Sequence, residues 1–578
     1  MSESLGFSSS SPPTGTGHPS LDAAVARVRA AAADWARLRP AARANLARRL
    51  SRGVARTAER SVLAACAAKG LDPRSPSAGE EWLAGPYVTL RILRQLAQSL
   101  DAVARGRNPP TGRLVRRGDQ LAARVFPADA LDDALYRPLG ISAEVRFEPG
   151  VGSAELRASQ AAFHKLPESA REGRTCLVLG AGNVNSIPAA DALTKLFVEG
   201  KTCVLKLNPV NAYLGPLLED ALGEAVAAGW LAIVQGGAEE GSYLAHHEAI
   251  DEVHITGSDR SHDAIVWGPP GPEREARKAR RQPLLAKEIT SELGNVTPIL
   301  VVPGPYSERD LMVQAENVAG MVTHNASFNC IAGKLLVLPR GWKERDKFLA
   351  LVSEALARTA PRSAWYPGAE ARWRTYVDGR PEVRVTPAGP RGTLPWALVT
   401  GLDPDDASER AFRDEPFCAV LGETSLGSDE PIEFLAAATR FANERLWGTL
   451  AAAIIVHPEC ERGAPGEALL HAIRELRYGT VGLNVWPGFA FAAGTTPWGA
   501  YPGAPLHAIQ SGRGFVHDTR MLAHVEKTVM RASLRPMVKL PYLPSHRTAH
   551  VLGRRLVALE ASGSPLHLPA AFAAALMA

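Results

Sequence analysis

Apolar residues recur at helical spacing from Leu21 to about Lys69, with Ala24, Val25, Val28 and Trp35 in one series and Leu46, Leu50 and Val54 in another. Pro40 interrupts the pattern and Gly70 supplies a stop signal, so two helices are expected. Trp82, Val88, Leu90, Ile92, Leu93 and Leu96 keep the same period and predict a third, long helix over residues 80–105. Between Gly106 and Pro149 the short runs LAARVF and ISAEVRF stand among Gly, Pro and Asp, the pattern of hairpin arms. From Thr175 the chain alternates buried strand and helix: TCLVLG, a helix over 189–199, TCVLKL, a helix over 214–228, LAIVQG, a short helix near 241–247, and EVHITG. Four apolar strands joined by helices predict a parallel sheet. A second series follows, with TPILVV (297–302), a helix over 310–324, KLLVLP and a helix over 342–359. The fold class expected is therefore α/β, with two α/β lobes in tandem.

Elsewhere the pattern is weaker. Residues 360–405 are rich in Pro, Gly and Arg and read as an irregular insertion, after which AAAIIV and TVGLNV are further strands. Residues 1–20 are mostly Ser, Gly and Pro with little to bury, which predicts a disordered tail. The last sixty residues, about 517–578, are basic and then Ala-rich, and pattern alone assigns them no function. No internal repeat is evident.

Composition narrows the function classes. A chain of 578 residues is too long for one small disulfide scaffold, and 46% hydrophobic with 22% charged residues supplies extensive cores. Sixty-five Lys and Arg against sixty Asp and Glu leave a formal charge of +5, a weak field that argues against a nucleic-acid partner. No apolar run approaches the roughly 20 residues of a membrane span, and residues 1–20 lack the apolar core of a secretory signal. A cytoplasmic protein with no membrane partner is expected. The six cysteines form no CxxC pair, so no structural metal site is expected.

Three strings carry candidate chemistry. GAGN at residues 180–183 follows a strand, as a dinucleotide fingerprint would, but position 185 is Asn and no acidic residue follows the next strand, where Lys206-Leu-Asn-Pro209 stands. A tight turn that needs Gly is the alternative. Cys330, in HNASFNCIAGK, sits on a connection between helix and strand, better placed for reaction than Cys203 within TCVLKL. Glu292 precedes a strand expected to be buried, either as one half of a salt bridge or as an acid/base group. His246-His247 lacks a third ligand at metal spacing and reads as solvated surface.

Taken in order, these segments resemble the aldehyde dehydrogenase superfamily over roughly residues 21–515. GNVNSIP (182–188) is similar to the loop that supplies an oxyanion-binding Asn, here Asn183, and 23 residues on, Lys206 in VLKLNP matches the cofactor-binding lysine. ITGSDR resembles the turn at the cofactor pyrophosphate, giving Gly257 and Ser258. ELGNVTP gives Glu292, NASFNCIAGK gives Asn325 and the nucleophile Cys330, and EPFCAVL gives Glu415 and Phe417 at the nicotinamide ribose and ring. Weaker echoes are Asn443, Asn484 and PWGAY…QSGRG.

The resemblance implies an atypical Rossmann coenzyme lobe, a catalytic lobe and a β-arm that drives homodimer or homotetramer formation. It divides the chain into a tail (1–20), N-terminal helices with arm segment and coenzyme lobe (21–290), a catalytic lobe (291–490), and a return to the coenzyme lobe, arm and C-terminal extension (491–578). The implied activity is NAD(P)-dependent oxidation of an aldehyde to a carboxylic acid. A free thiol with pKa ~8.5 is only about 3% thiolate at neutral pH, so Cys330 needs help from its surroundings. Asn183 and the Cys330 backbone N–H would hold the oxyanion, and Glu292 would activate the water that clears the thioester.

Departures matter too. Pro209 replaces the Glu that accepts both ribose hydroxyls in NAD-preferring relatives, which opens the site to NADP, so NAD or NADP is expected. Phe328-Asn329 and Cys418-Ala419 also depart from the usual segments. The GNV string is similar to fatty acyl-CoA reductases of the same superfamily, so the alternatives are a CoA-linked acylating enzyme and a catalytically silent scaffold.

Overall fold

The structure, a computed structural model, describes residues 18–578. Of the tail expected over residues 1–20, residues 1–17 lie outside the described ones, and Pro19 already opens a helix. Where two N-terminal helices were expected there are three, Pro19–Ala30, Ala32–Arg37 and Pro40–Lys69. Pro40 starts the last of these, because its fixed φ suits the first helical turn and its missing N–H costs nothing there. Gly70, at φ 66°, closes the same helix in the left-handed conformation. The expected third helix is divided. Gly79–Trp82 leads through a wide turn, Leu83–Tyr87, into Val88–Ala104. Pro86 within that turn has no N–H to continue the helical ladder.

Among the described residues a six-stranded sheet runs in the order Gly512–Arg513, Glu288–Glu292, Glu252–Thr256, Thr175–Leu179, Thr202–Lys206, Leu231–Val234. All but the short 512–513 edge pair are parallel. Successive strands step outward one way from Thr175–Leu179 and then the other way from Glu252–Thr256. The crevice beyond the carboxyl ends of these two central strands is a topological switch point, where ligands bind in open α/β sheets.

An eleven-stranded sheet carries the second half of the chain. Its parallel centre contains Thr480–Leu483, Ala451–Ile455, Thr297–Val301, Gly333–Pro339, Val420–Leu426 and Ala397–Leu402. The molecule is thus α/β, with the tandem sheets that the hydrophobic pattern predicts. The expectation of an irregular insertion over 360–405 is corrected: Ala369–Val377 is a helix, and Ala397–Leu402 pairs in parallel with Val420–Leu426.

The arm strands Leu114–Arg117, Gln120–Phe126 and Ser142–Phe147 are antiparallel, and Val525–Arg531 joins them to Thr480–Leu483 of the same chain. A helix, Ala130–Tyr136, interrupts the expected arm and is capped by the Asp129 carboxylate. The chain ends in two further helices, Ala549–Ser562 and Leu568–Leu576. They lie on the N-terminal helices at close range, for a side chain at Gly553 would meet Trp82 Cβ at 2.6 Å.

Candidate active site

Cys330 lies on the connection between the helix Glu308–Thr323 and the strand Gly333–Pro339. Three consecutive residues on that connection, Asn325, Ala326 and Ser327, have φ of 54°, 55° and 68°, a left-handed run that side chains disfavour. Surrounding bonds hold the run in place. Lys334 Nζ donates to the Ser327 carbonyl at 2.9 Å and its hydroxyl at 3.0 Å. Lys69, buried at the end of the long N-terminal helix, donates to Asn325 Oδ1 at 3.0 Å and to Glu81 at 2.8 Å. The Asn325 N–H donates to Glu80, which Arg362 grips in a bidentate pair. A backbone this constrained presents the next residues in one orientation.

Cys330 is the only one of the six cysteines that is not fully buried. Its thiol donates to Glu292 Oε1 over 3.1 Å. Glu292 ends the strand Glu288–Glu292 of the six-stranded sheet, so carboxyl and sulfur meet where the two sheets approach each other. Burial, with the negative charge of Asp191 behind it, pushes the Glu292 carboxyl up to about 7. Burial and then the Glu292 carboxylate raise the Cys330 thiol well above its ordinary range. The resting pair is therefore a thiol beside a carboxyl that titrates near neutrality. Glu292 Oε2 has no partner among the described residues.

Asn183 is set on the loop between Thr175–Leu179 and the helix Ile187–Leu193, and Gly182 lies so close to Asn208 that a side chain there would collide. The need for Gly in this string is thus a close approach. Asn183 Nδ2 donates to the Phe328 carbonyl at 2.9 Å, two residues before Cys330, which leaves the second amide hydrogen free. Asn183, Glu292 and Cys330 line one cavity of about 270 Å³.

Sequence reasoning missed a buried polar cluster behind Glu292. Asp191 accepts from Thr256 Oγ1 at 2.8 Å and lies 3.3 Å from His517 Nε2 and 3.5 Å from His254 Nε2. Its carboxyl is held far below the ordinary range by these imidazoles despite its burial. The available signal was an ionisable residue inside each of two apolar segments, IPAADAL and EVHIT.

Of the residues expected to hold a cofactor, Lys206 and Gly257 fall at carboxyl ends of strands in the six-stranded sheet. Lys206 ends the strand Thr202–Lys206 and is buried, and its Nζ has no hydrogen-bond or ion-pair partner among the described residues. Burial lowers its pKa, and Glu240 opposes the shift. Glu240 corrects one expectation. No carboxylate near Lys206 was foreseen, yet Glu240 on the helix Ala238–His246 lies within reach of its charge, with Oε2 accepting from the Gly237 N–H at 2.6 Å. Gly257 and Ser258 are exposed, and Ser258 Oγ caps the helix Asp259–Trp267 by accepting from the Ser261 N–H at 3.1 Å. The Gly257 N–H donates to the Glu292 carbonyl at 3.0 Å, which ties that turn to the end of the strand Glu288–Glu292. Glu415 Oε1 is buried and unpaired among the described residues, and any side chain at Gly294 would strike this carboxylate. Phe417 packs with Tyr366 and Phe328 at 4.9 and 5.8 Å between ring centres. His246 and His247 instead serve the backbone at Ser242 and Ala249.

Comparison with solved structures then settles the fold. The structure matches gamma-glutamyl-gamma-aminobutyraldehyde dehydrogenase from Burkholderia cenocepacia over 90% of both chains, at TM-score 0.60 and 21% identity. This is the aldehyde dehydrogenase fold. NAD-dependent aldehyde dehydrogenase from Sinorhizobium meliloti matches 90% of this chain with 88% of its own, at TM-score 0.58 and 19% identity. Aldehyde dehydrogenase C from Pseudomonas syringae, solved with NAD+ and octanal, covers 90% of both chains at TM-score 0.57 and 18% identity. Residues 176–365 match the model of the aldehyde dehydrogenase family, a span that holds Asn183, Lys206, Gly257, Ser258, Glu292 and Cys330. At the sequence level the chain is 31% identical over 127 residues to 4-trimethylaminobutyraldehyde dehydrogenase A of Danio rerio, which is 22% of each protein. The chain thus spans about a fifth of the length of the curated relatives that it matches.

Proposed function

We propose that the protein is an NAD(P)-dependent aldehyde dehydrogenase that oxidises an aldehyde to a carboxylic acid through a cysteine thioester. The observation that carries this reading is the 3.1 Å contact between Cys330 Sγ and Glu292 Oε1 in a cavity shared with Asn183. The cofactor-side residues fit a dinucleotide. Lys206 is a buried cation without a partner, Glu415 offers an unpaired oxygen, and Gly257 and Ser258 expose a helix N-terminus. The nicotinamide, when bound, supplies the hydride acceptor.

Because the thiol is held neutral, attack on the aldehyde carbon requires its proton to pass to Glu292 as the S–C bond forms. The resulting oxyanion would be held by the Cys330 backbone N–H and the free Asn183 amide hydrogen, each such donor contributing ~2.7–4 kcal/mol. Loss of hydride from the thiohemiacetal carbon restores the C=O bond and leaves a thioester on Cys330. Glu292, having passed its proton to solvent, takes a proton from water as that water attacks the thioester. The carboxylic acid departs and the thiolate regains a proton. A carboxyl near 7 suits both transfers, since it is substantially ionised at neutral pH and still basic enough to accept.

The same reading assigns residues 21–290 to the arm and coenzyme lobe, 291–490 to the catalytic lobe and 491–578 to the return, arm and extension. It includes a homodimer or homotetramer, which sedimentation velocity would read, and a cytoplasmic location. No helix among the described residues is long and apolar enough to cross a membrane. The test is an aldehyde panel with NAD+ and NADP+ in parallel and no CoA, following reduced-cofactor absorbance. Turnover is expected, and its absence with every aldehyde would overturn the proposal.

A further inference from the structure

The cavity that begins at Cys330 does not end among catalytic residues. It runs between the N-terminal helices and the arm, where Leu83, Tyr87, Phe126 and Leu135 line it, and on to the C-terminal extension. There Leu540, Leu552, Leu556 and Phe572 close it. Arg91 also lines the space, but its charge is committed to Asp132 at 2.5 Å, Glu560 at 2.8 Å and the Ala493 carbonyl at 2.7 Å. Away from Cys330, Glu292 and Asn183 the walls are overwhelmingly aliphatic and aromatic. Such walls reward an apolar chain and penalise a charged or hydroxylated one.

Size sets the length. A cavity of about 150 Å³ takes the six carbons of benzene, so about 270 Å³ holds a chain on the order of ten carbons. The rim points the same way. Met537 and Leu576 both line the cavity and are 81% and 72% exposed, so its mouth presents apolar side chains to solvent beside Lys539.

The extension is also fastened to the nucleophile. Tyr542 donates to Asn317 Oδ1 at 2.6 Å and accepts from the Trp486 N–H at 3.2 Å. The Trp486 indole in turn donates to the carbonyl of Ile331, the residue after Cys330, at 2.8 Å. We infer that residues 532–578 form the distal half of an acyl-chain tunnel, and that the substrate is a long-chain aliphatic aldehyde whose tail lies beneath the two C-terminal helices. The reaction assigned to this ligand rests on the function proposed above, whereas the apolar ligand itself rests on the cavity.

The experiment measures kcat/KM for straight-chain alkanals from propanal to dodecanal, in the wild type and in Ala575→Trp and Leu556→Trp, each of which fills the tunnel from one C-terminal helix. In the wild type kcat/KM is expected to climb by up to about fourfold per methylene to near ten carbons. In the variants the decanal-to-propanal ratio should fall at least tenfold. Displacement of a fluorescent apolar probe by decanol, read in the same proteins, reports the tunnel without catalysis. Turnover of short aldehydes with no rise along the series, or a ratio and decanol affinity unchanged in both variants, would overturn the tunnel and leave the reaction standing. Decanol binding that the variants abolish, with no aldehyde oxidised, would overturn the reaction and leave the tunnel.

Discussion

The thiol of Cys330 and the carboxyl of Glu292 share one hydrogen bond of 3.1 Å, although Glu292 ends a strand of one sheet and Cys330 stands on the connection into a strand of the other. Cys330→Ala should abolish aldehyde turnover while cofactor still binds, as protein fluorescence would report. Glu292→Gln should lower steady-state turnover by roughly 10²–10⁴, because neither thiol nor water then has a base. Burial, the larger cause of the raised thiol, persists in the variant, so the burst of reduced cofactor should slow along with the steady state. Unchanged steady-state turnover in rapid-mixing measurements would remove Glu292 from the chemistry.

The pH dependence follows from the same carboxyl. Glu292 acts as a base only when ionised, so kcat/KM should rise through a midpoint near 7 and be lost as pH falls below it. Asp191 contributes to holding that midpoint high by adding negative charge. Asp191→Asn is therefore expected to move the acidic limb to lower pH. A limb that stays in place, or moves upward, would show that the cluster of Asp191, His254 and His517 does not act on Glu292.

How far the sequence reveals this arrangement depends on whether a residue's partners lie in its own segment. The strands from Thr175 to Thr256 were legible because they are buried on both faces and read as continuous apolar runs. Val420–Leu426 was not, since Glu423 and Thr424 break its apolar run. Glu423 is tolerated in the core because Arg345, the Ser425 hydroxyl and the Gly401 N–H each donate to it at 2.9 Å. The nucleophile, the base and Asn183 were found through motif resemblance. The Asp191 cluster draws His517 from more than 300 residues away, and local pattern carries no trace of that pairing. The extension was equally silent, because its Ala-rich helices acquire a role only where they roof a cavity built by other segments.

Cofactor choice turns on Glu240. The sequence reading found no acidic residue on the strand leading to Pro209 and so admitted NADP. The carboxylate that the next helix brings within reach of the Lys206 charge would repel a 2′-phosphate and could accept from a ribose hydroxyl. NAD+ should therefore be preferred. Glu240→Gln should shift the ratio of kcat/KM for NAD+ over NADP+ toward NADP+ by about tenfold, the equivalent of ~1.4 kcal/mol. Parallel titration of both cofactors reads it, and an unmoved ratio would place the ribose elsewhere.

The extension should also contribute strongly to stability, through one carboxylate. Glu560 reaches Arg91 at 2.8 Å and Arg94 at 2.6 Å, where Arg91 and Glu560 are both out of contact with water. Glu560→Ala leaves Arg91 with Asp132 as its one carboxylate beside the Ala493 carbonyl and is expected to cost on the order of 3 kcal/mol, because a buried guanidinium loses a desolvated partner. The pair of Arg117 with Glu144, at 2.8 Å, is the comparison: the Arg117 side chain is 45% exposed and Glu144 keeps Arg146 as a second partner, so Arg117→Ala should cost under about 1 kcal/mol. Denaturant midpoints measured on both variants separate the two cases. A loss for Glu560→Ala no larger than for Arg117→Ala would mean that the C-terminal helices sit on the fold without bracing it.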